Sequence, residues 1–207
     1  MKKISGSTVT RLSQYYRILN DLIENNVETV SSSEIAQINS ITAAQVRKDL
    51  SFFGSFGKRG LGYNTRELRN TIAGILGLHK KWNVALVGFG NIGRALLLYD
   101  EFRKQGFLFQ AIFEVDENKI GRRVHGVDIV HVKEAPQILF SKEIEIVIIA
   151  VPAKNAQGII DFFVGLGIKA FLNFATTSIH VPKDVIVKNE NMSIELEALT
   201  YFLTNKK

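Results

Sequence analysis

Gly88-Phe89-Gly90-Asn91-Ile92-Gly93 follows directly on the apolar run Val84-Ala85-Leu86-Val87, and a helix-compatible stretch from Arg94 to Lys104 comes after it. In a strand–turn–helix unit the first glycine permits the tight turn. The second lets a pyrophosphate approach the backbone, and the third lets helix and strand pack closely. The helix start then offers free N–H groups and a positive dipole end to phosphate. A second apolar run, Phe107 to Val115, carries Glu114 near its end with Asp116 two residues on, about where the ribose-binding acid of such a unit falls. The sequence therefore points to a dinucleotide held in an α/β sheet. The bland alternative is a purely structural glycine turn.

Charge divides the chain. Residues 1–81 hold twelve Lys/Arg against six Asp/Glu, whereas residues 82–207 hold fourteen of each, so the whole excess of +6 lies in the first segment. This reads either as a solvated basic surface or as a polyanion-binding module joined to a neutral ligand-binding one. No apolar stretch reaches the length of a membrane span, and the first residues lack a signal-peptide core. The absence of cysteine excludes disulfides, thiolate zinc sites and a cysteine nucleophile, and fits a reducing cytoplasm.

Within the basic segment, residues 8–25 have the spacing of an amphipathic helix with Leu12, Tyr15, Tyr16, Leu19, Leu22 and Ile23 on its apolar face. Ser31/Glu34 and Thr42/Gln45 both have capping-box spacing and start two short helices around Asn39-Ser40-Ile41. The second buries Val46, Leu50 and Phe53, ends at Gly54, and turns Gln45, Arg47, Lys48 and Ser51 outward. Two short helices joined by a tight turn, the second with a basic polar face, form the helix-turn-helix pattern. Phe56 to Tyr63, with Lys58, Arg59 and Gly60 at its centre, suits a hairpin wing reaching along phosphates. The competing reading is a basic module that docks protein. Asn64 starts a further helix with Leu68, Ile72, Ile75 and Leu76 inside.

From Trp82 onward strands and helices alternate: a helix over Arg94–Lys104, strands at 107–115, 127–130, 145–151, 168–174 and 185–188, and helices at 135–140 and 153–165. Such alternation implies a doubly wound parallel sheet with its ligand at the C-terminal strand ends. That places Gly88–Gly93, Glu114, Val151-Pro152 and Asn173-Phe174 around one crevice. Residues 193–203 form a last helix with Ile194, Leu196, Leu199 and Leu203 on one face. It is either exchanged between subunits or packed on its own domain. The expected organisation is thus an α/β two-domain chain: residues 1–81 a winged helix-turn-helix, 82–190 the dinucleotide domain, 191–207 a terminal partner helix.

Enzyme chemistry is missing. About 125 residues are cofactor domain and little else, no Tyr-x-x-x-Lys occurs, and the four histidines form no metal or triad pattern. The nucleotide looks like a signal rather than a reagent. An acid at the second strand end favours NAD over NADP, although Lys119, Arg122 and Arg123 stand close by in sequence. The runners-up are a small NAD-dependent oxidoreductase with a basic appendage and a nucleotide-gated scaffold that binds protein.

The chain closely resembles the Rex family of bacterial redox-sensing repressors. The resemblance rests on Arg11-Leu12, Tyr15-Tyr16-Arg17, Val46-Arg47-Lys48-Asp49-Leu50-Ser51-Phe52-Phe53-Gly54, Phe56-Gly57-Lys58-Arg59-Gly60-Leu61-Gly62-Tyr63, Gly88 to Leu96, Val151-Pro152-Ala153 with Ala156-Gln157, and Gly167-Ile168-Lys169 with Leu172-Asn173-Phe174. It implies a homodimer with a swapped C-terminal helix that holds palindromic operators in double-stranded DNA when apo or with NAD⁺ and leaves them on binding NADH. It further implies that Tyr99 and the Met192 region of the partner approach the nicotinamide and that Arg47, Lys48, Lys58 and Arg59 contact DNA; because NADH and NAD⁺ differ only at that ring, Asn173 and Phe174 are expected to read it too. Arg11 matches a first-helix arginine that pairs, in the family, with an acid where Asn191 stands here. That makes Arg11, Asn191 and Met192 the expected switch, with Arg11 also near DNA. Asn191 cannot form that ion pair, and the family's Ala-Pro after Asn-Phe reads Ala175-Thr176.

Overall fold

The computed structural model describes residues 4–57 and 61–205. They form two compact units that divide between Lys80 and Lys81.

The first unit is built by its helix starts. Ser5 caps α1 (Gly6–Glu24) by accepting from the Thr8 N–H. Ser31 and Glu34 complete a reciprocal capping box at α2 (Ser32–Ile38). Thr42 caps α3 (Ala43–Ser51) through the Gln45 N–H, and Asn64 caps α4 (Thr65–Leu76) through that of Glu67. Each oxygen satisfies a donor that the helix itself leaves without a partner. At α3 the box is only half formed, because the Gln45 side chain goes to Asp49 instead of back to Thr42. The apolar faces of all four helices meet in one core of Leu12, Tyr15, Leu19, Ile35, Val46, Leu50, Leu68 and Ile72. The buried face of α1 runs through Ile18 rather than Ile23. Ser40, with φ of 52°, makes the tight turn between α2 and α3. A two-residue strand β1 (Thr29–Val30) pairs antiparallel with β2 (Tyr63–Asn64), which anchors the returning end of the wing segment. The expected tip of that wing, Lys58, Arg59 and Gly60, lies outside the described residues.

The second unit contains a seven-stranded sheet. Its strands are β3 (Trp82–Val87), β4 (Phe107–Glu114), β5 (Arg123–Val124), β6 (Val127–His131), β7 (Ile146–Ile149), β8 (Ala170–Asn173) and β9 (Ile186–Asn189). The order is β5-β6-β4-β3-β7-β8-β9, parallel except for β5. Counted from β3, six parallel strands run 3-2-1-4-5-6, the doubly wound Rossmann order. Burial on both faces explains the continuous apolar runs. Successive side chains point to opposite faces: Val84 and Leu86 join one apolar layer with Ile112, Ile129 and Ile148, while Ala85 and Val87 join the other with Phe113, Val147 and Phe163.

Two elements differ from the sequence reading. The expected helix over 94–104 is two short helices, α5 (Asn91–Leu97) and α6 (Asp100–Lys104), broken at Tyr99, whose φ and ψ of −79° and 93° are extended. Strand β5 forms a hairpin with β6 through His125-Gly126, both at positive φ, the geometry of a two-residue mirror-image turn. The sheet is completed by α7 (Ala135–Ser141), which fits the expected span, and α8 (Ala153–Gly165). Last comes α9 (Met192–Thr204), which has no buried residue. Met192, Ile194, Leu196, Leu199, Tyr201, Phe202 and Leu203 are all more than half exposed. A helix with apolar groups all round is a buried helix in any stable assembly, so packing onto its own unit is not what this helix does. Among the described residues no helix is long and apolar enough to cross a membrane.

Candidate nucleotide cleft and nucleic-acid interface

The C-terminal ends of β3, β4 and β7 open into a cleft of about 740 Å³. Gly88, Phe89, Gly90, Glu114, Val151 and Pro152 line it, six of the residues expected there. The three glycines have separable reasons. Gly88 has a φ of +91°, and a Cβ there would meet the Ala150 carbonyl oxygen at 2.6 Å. A Cβ at Gly93 would overlap the carbonyl oxygen of Gly88. At Gly90, by contrast, a Cβ meets nothing within 4 Å. The protein itself does not require glycine at that position, but a ligand lying on the backbone does.

Glu114 is buried, with each carboxylate oxygen accepting two bonds. Oε2 accepts from the Phe89 N–H (2.9 Å) and Lys119 Nζ (3.2 Å). Oε1 accepts from the N–H groups of Val115 (2.8 Å) and, longer, Asp116 (3.4 Å). Burial alone would raise its pKa, but these donors outweigh that and hold the group below the ordinary carboxylate range. The acid at the strand end is therefore ionised but already filled, and a ribose hydroxyl has to displace a donor. Lys119, one-third exposed and shared with Asp116 at 3.3 Å, is the partner free to move.

The sequence reading missed the far wall. Val132, Lys154, Asn155 and Ile159 also line the cleft. The last three follow Pro152, which starts α8 without a side-chain cap. Helices α5 and α8 thus both open at the cleft with uncapped first turns, favourable ground for phosphate oxygens. The apolar walls and the ionised acid suit an adenosine half. The donor set of the cleft fits a pyridine dinucleotide. Among the described residues no group of His, Asp and Glu is arranged to hold a metal ion.

Other expected residues do not line the cleft directly. Asn91, Ile92, Gly93, Asp116, Tyr99, Asn173 and Phe174 are not among its lining residues. Tyr99 is half exposed, its ring edge-on to Phe102 at 5.2 Å. Asn173 is fully buried, and both of its amide N–H groups are used, on the Ala175 carbonyl (3.1 Å) and Asn189 Oδ1 (2.8 Å), while its oxygen accepts from the Ala175 N–H (3.0 Å). These bonds fix the loop that carries Phe174. Asn191 caps α9 through the Ser193 N–H at 3.0 Å, and Met192 is two-thirds exposed at the helix start.

In the first unit, Arg47 and Lys48 are exposed on α3. Arg47 Nη1 donates to Ser32 Oγ at 3.0 Å, joining α3 to α2. The Ser51 hydroxyl donates within its own helix to the Lys48 carbonyl. Arg11 is engaged within its own unit. Its Nε and Nη2 grip both oxygens of the fully buried Asp49 at 2.6 and 2.7 Å, which ties α1 to α3. Arg17, on the same helix, is exposed and makes no ion pair among the described residues.

A helix-turn-helix unit and a Rossmann unit with an open glycine cleft, on one chain, define a protein that couples a nucleotide to a nucleic-acid-binding fold. Comparison with known proteins specifies it further. Residues 79–177 match the family model "CoA binding domain", and residues 3–51 match "Putative DNA-binding protein N-terminus". The chain is 44% identical to the redox-sensing transcriptional repressor Rex of Desulforamulus reducens, over 99% of this chain and 98% of that one. It is similar to the crystal structure of RSP in complex with NAD⁺ and operator DNA, at a TM-score of 0.92 and 37% identity over 98% of this chain and 94% of that one. The NADH complex of RSP gives 0.89 and 35% over 98% and 95%. The chain belongs to the Rex family of redox-sensing transcriptional repressors.

Proposed function

We propose that this protein is a homodimeric, DNA-binding repressor that senses the NADH/NAD⁺ ratio, holding palindromic operators when apo or with NAD⁺ and leaving them on binding NADH. The observation that carries this is Gly90. It is kept clear at the mouth of an acid-bearing Rossmann cleft, in a chain whose other unit presents Arg47 and Lys48 on a recognition helix. Relatives with the same two units have been solved with NAD⁺ and operator DNA and with NADH. Relatives over nearly the whole chain are named transcriptional repressors, which supports the nucleotide acting as effector and not as reagent. The cytoplasm, where operators and pyridine nucleotides meet, is where such a protein works.

In this reading Gly88, Phe89, Gly90, Asn91 and Ile92 offer backbone to the pyrophosphate. Glu114 takes the ribose, with Asp116 holding the displaced Lys119, and Val132, Val151 and Ile159 sandwich the adenine. NADH and NAD⁺ differ only at the nicotinamide, so that end alone discriminates them. Tyr99, Phe174 on the loop held by Asn173, and the Met192 region of a second copy are the groups we assign there. Arg47 and Lys48, with Lys58, Arg59 and Gly60 of the wing, meet DNA. Because Arg11 is held by Asp49, Arg17 replaces it as the first-helix arginine free to respond to Asn191 of a second copy. Helix α9 is covered by that copy.

A ligand shifts the DNA-bound state only by its differential affinity, and a 100-fold loss of operator affinity corresponds to about 2.7 kcal/mol of coupling. Two recognition helices must stand roughly 34 Å apart to read a palindrome, so a change in subunit angle suffices to release it. Band-shift titrations on a palindromic operator, with NADH and NAD⁺ in parallel, test the reading. NADH releases the duplex and NAD⁺ does not; equal effects of both overturn it.

A further inference from the structure

Asp49, fully buried in the recognition helix, is saturated. Its Oδ1 accepts from Arg11 Nη2 (2.7 Å) and Gln45 Nε2 (2.8 Å), and its Oδ2 from Arg11 Nε (2.6 Å) and the Tyr15 hydroxyl (2.8 Å). Burial would raise its pKa, but these bonds together leave it lowered, so the group is a carboxylate. A carboxylate only accepts hydrogen bonds. The end of the Gln45 amide that faces it must therefore be the nitrogen. An amide whose two orientations are ordinarily interchangeable is here fixed by chemistry.

Gln45 is the third residue of α3, in the first turn, from which recognition helices reach base edges. Its backbone is pinned by Thr42 Oγ at 3.2 Å. Its Oε1 bonds to no described residue, and one Nε2 hydrogen remains beyond the one given to Asp49. The locked side chain thus presents one acceptor beside one donor.

We propose that Gln45 reads an adenine in each operator half-site, and that Asp49 is the positioning residue that makes it refuse guanine there. The inference rests on the DNA-binding reading of this unit and adds which base is read and by what. In the major groove adenine offers the N6 amine as donor and N7 as acceptor, while guanine offers two acceptors, O6 and N7. A free glutamine turns its amide and serves either base. The locked one matches adenine with both atoms, and against guanine it sets Oε1 against O6, with one of its two N–H groups already spent on Asp49.

The test measures affinity of the full-length protein, by fluorescence anisotropy, for a palindromic duplex selected from a random pool. Each half-site position is then changed in turn to the other base pairs. At one position adenine is preferred over guanine by roughly 5- to 150-fold, the discrimination carried by one bidentate contact. Gln45→Met removes that preference at that position while the preferences at the other positions and the NADH affinity persist. Asp49→Asn, which lets the amide turn, brings the adenine-to-guanine ratio towards one with Gln45 still present. Should that variant fail to fold, Gln45→Met decides alone. The proposal is overturned if the adenine preference survives Gln45→Met, if the loss is uniform across positions, or if the wild type prefers guanine there. Failure to retain any duplex from the pool instead removes the DNA-binding reading, and the proposal with it.

Discussion

Arg11 holds Asp49 by two charge-assisted bonds, 2.6 Å from Nε and 2.7 Å from Nη2, and so ties the first helix to the recognition helix. Tyr15 completes the tie at 2.8 Å.

Removing the guanidinium leaves a buried carboxylate without its counter-charge, a change that costs about 3–5 kcal/mol where it has been isolated. Arg11→Met should lower the stability of the first unit by that order in urea unfolding, with NADH affinity untouched. The pH dependence has a definite sign. The folded pKa of Asp49 lies below its ordinary 3.8, so its contribution is present above that value and lost as pH falls below it. Tyr15 is pushed up from 10.0 by burial and by its bond to Asp49; its contribution is present below pH 10 and lost as pH rises beyond. In Arg11→Met the acid dependence reverses, because the unpaired Asp49 now prefers its proton. Part of the lost stability returns on acidification, and a variant that keeps the wild-type acid profile would refute the tie.

The glycines of the cleft separate folding from binding. Gly90→Val should fold with a near-normal melting temperature and lose NADH by more than about 100-fold, since its side chain meets no protein atom and takes the space expected for the pyrophosphate. Gly93→Ala should do the reverse in part. Its methyl group overlaps the Gly88 carbonyl, so β3 and α5 must part, at a cost of about 1–3 kcal/mol. Thermal melting beside fluorescence titration distinguishes the two, and equal melting temperatures would defeat the assignment.

The sequence made the sheet, the cleft and the helix-turn-helix legible because each rests on local spacing. Glycines at fixed intervals, two-sided apolar strands and oxygen-bearing caps leave marks within a few residues of one another. Asp49 left none. It sits 38 positions from Arg11, and its burial is visible only when α1 and α3 pack. The same holds for Asn173, whose amide is consumed by Ala175 and by Asn189, 16 residues away. Leu96, Tyr99 and Phe102 keep helical spacing, so the sequence runs one helix through Tyr99; the chain breaks there without a glycine or proline to announce it. The hairpin at His125-Gly126 did carry a signal, two residues suited to positive φ between Val124 and Val127, which the alternation of longer elements obscured.

Glu114 should set the choice between NADH and NADPH. As an ionised group it repels a 2′-phosphate, while Lys119 partly offsets that charge. Glu114→Gln removes the charge and sets an NH₂ group among N–H donors that need an acceptor. NADH affinity should fall about tenfold, in line with the loss of one hydrogen bond to a charged group, and the NADPH-to-NADH affinity ratio should rise by at least as much. Titration of both nucleotides against both proteins gives the ratio. An unchanged ratio would place the ribose elsewhere.

Helix α9 has no buried residue, and Leu196, Leu199 and Leu203 are each more than half exposed. Burying a leucine is worth about 1.5–3 kcal/mol, so several of them on one helix supply a dimer interface when a second copy covers them. Leu199→Glu with Leu203→Glu places two charges in that interface and should give a monomer by light scattering, with both units still folded. The monomer engages one half-site at a time and forfeits the gain from linking two, on the order of 100-fold or more in operator affinity. A sharper consequence concerns the nicotinamide. If Met192 of the second copy completes its pocket, the monomer binds NADH more weakly yet binds ADP-ribose, which carries the same adenosine and pyrophosphate without the nicotinamide, as the wild type does. A variant that stays dimeric would remove α9 from the interface, and a monomer that loses both ligands equally would remove Met192 from the site.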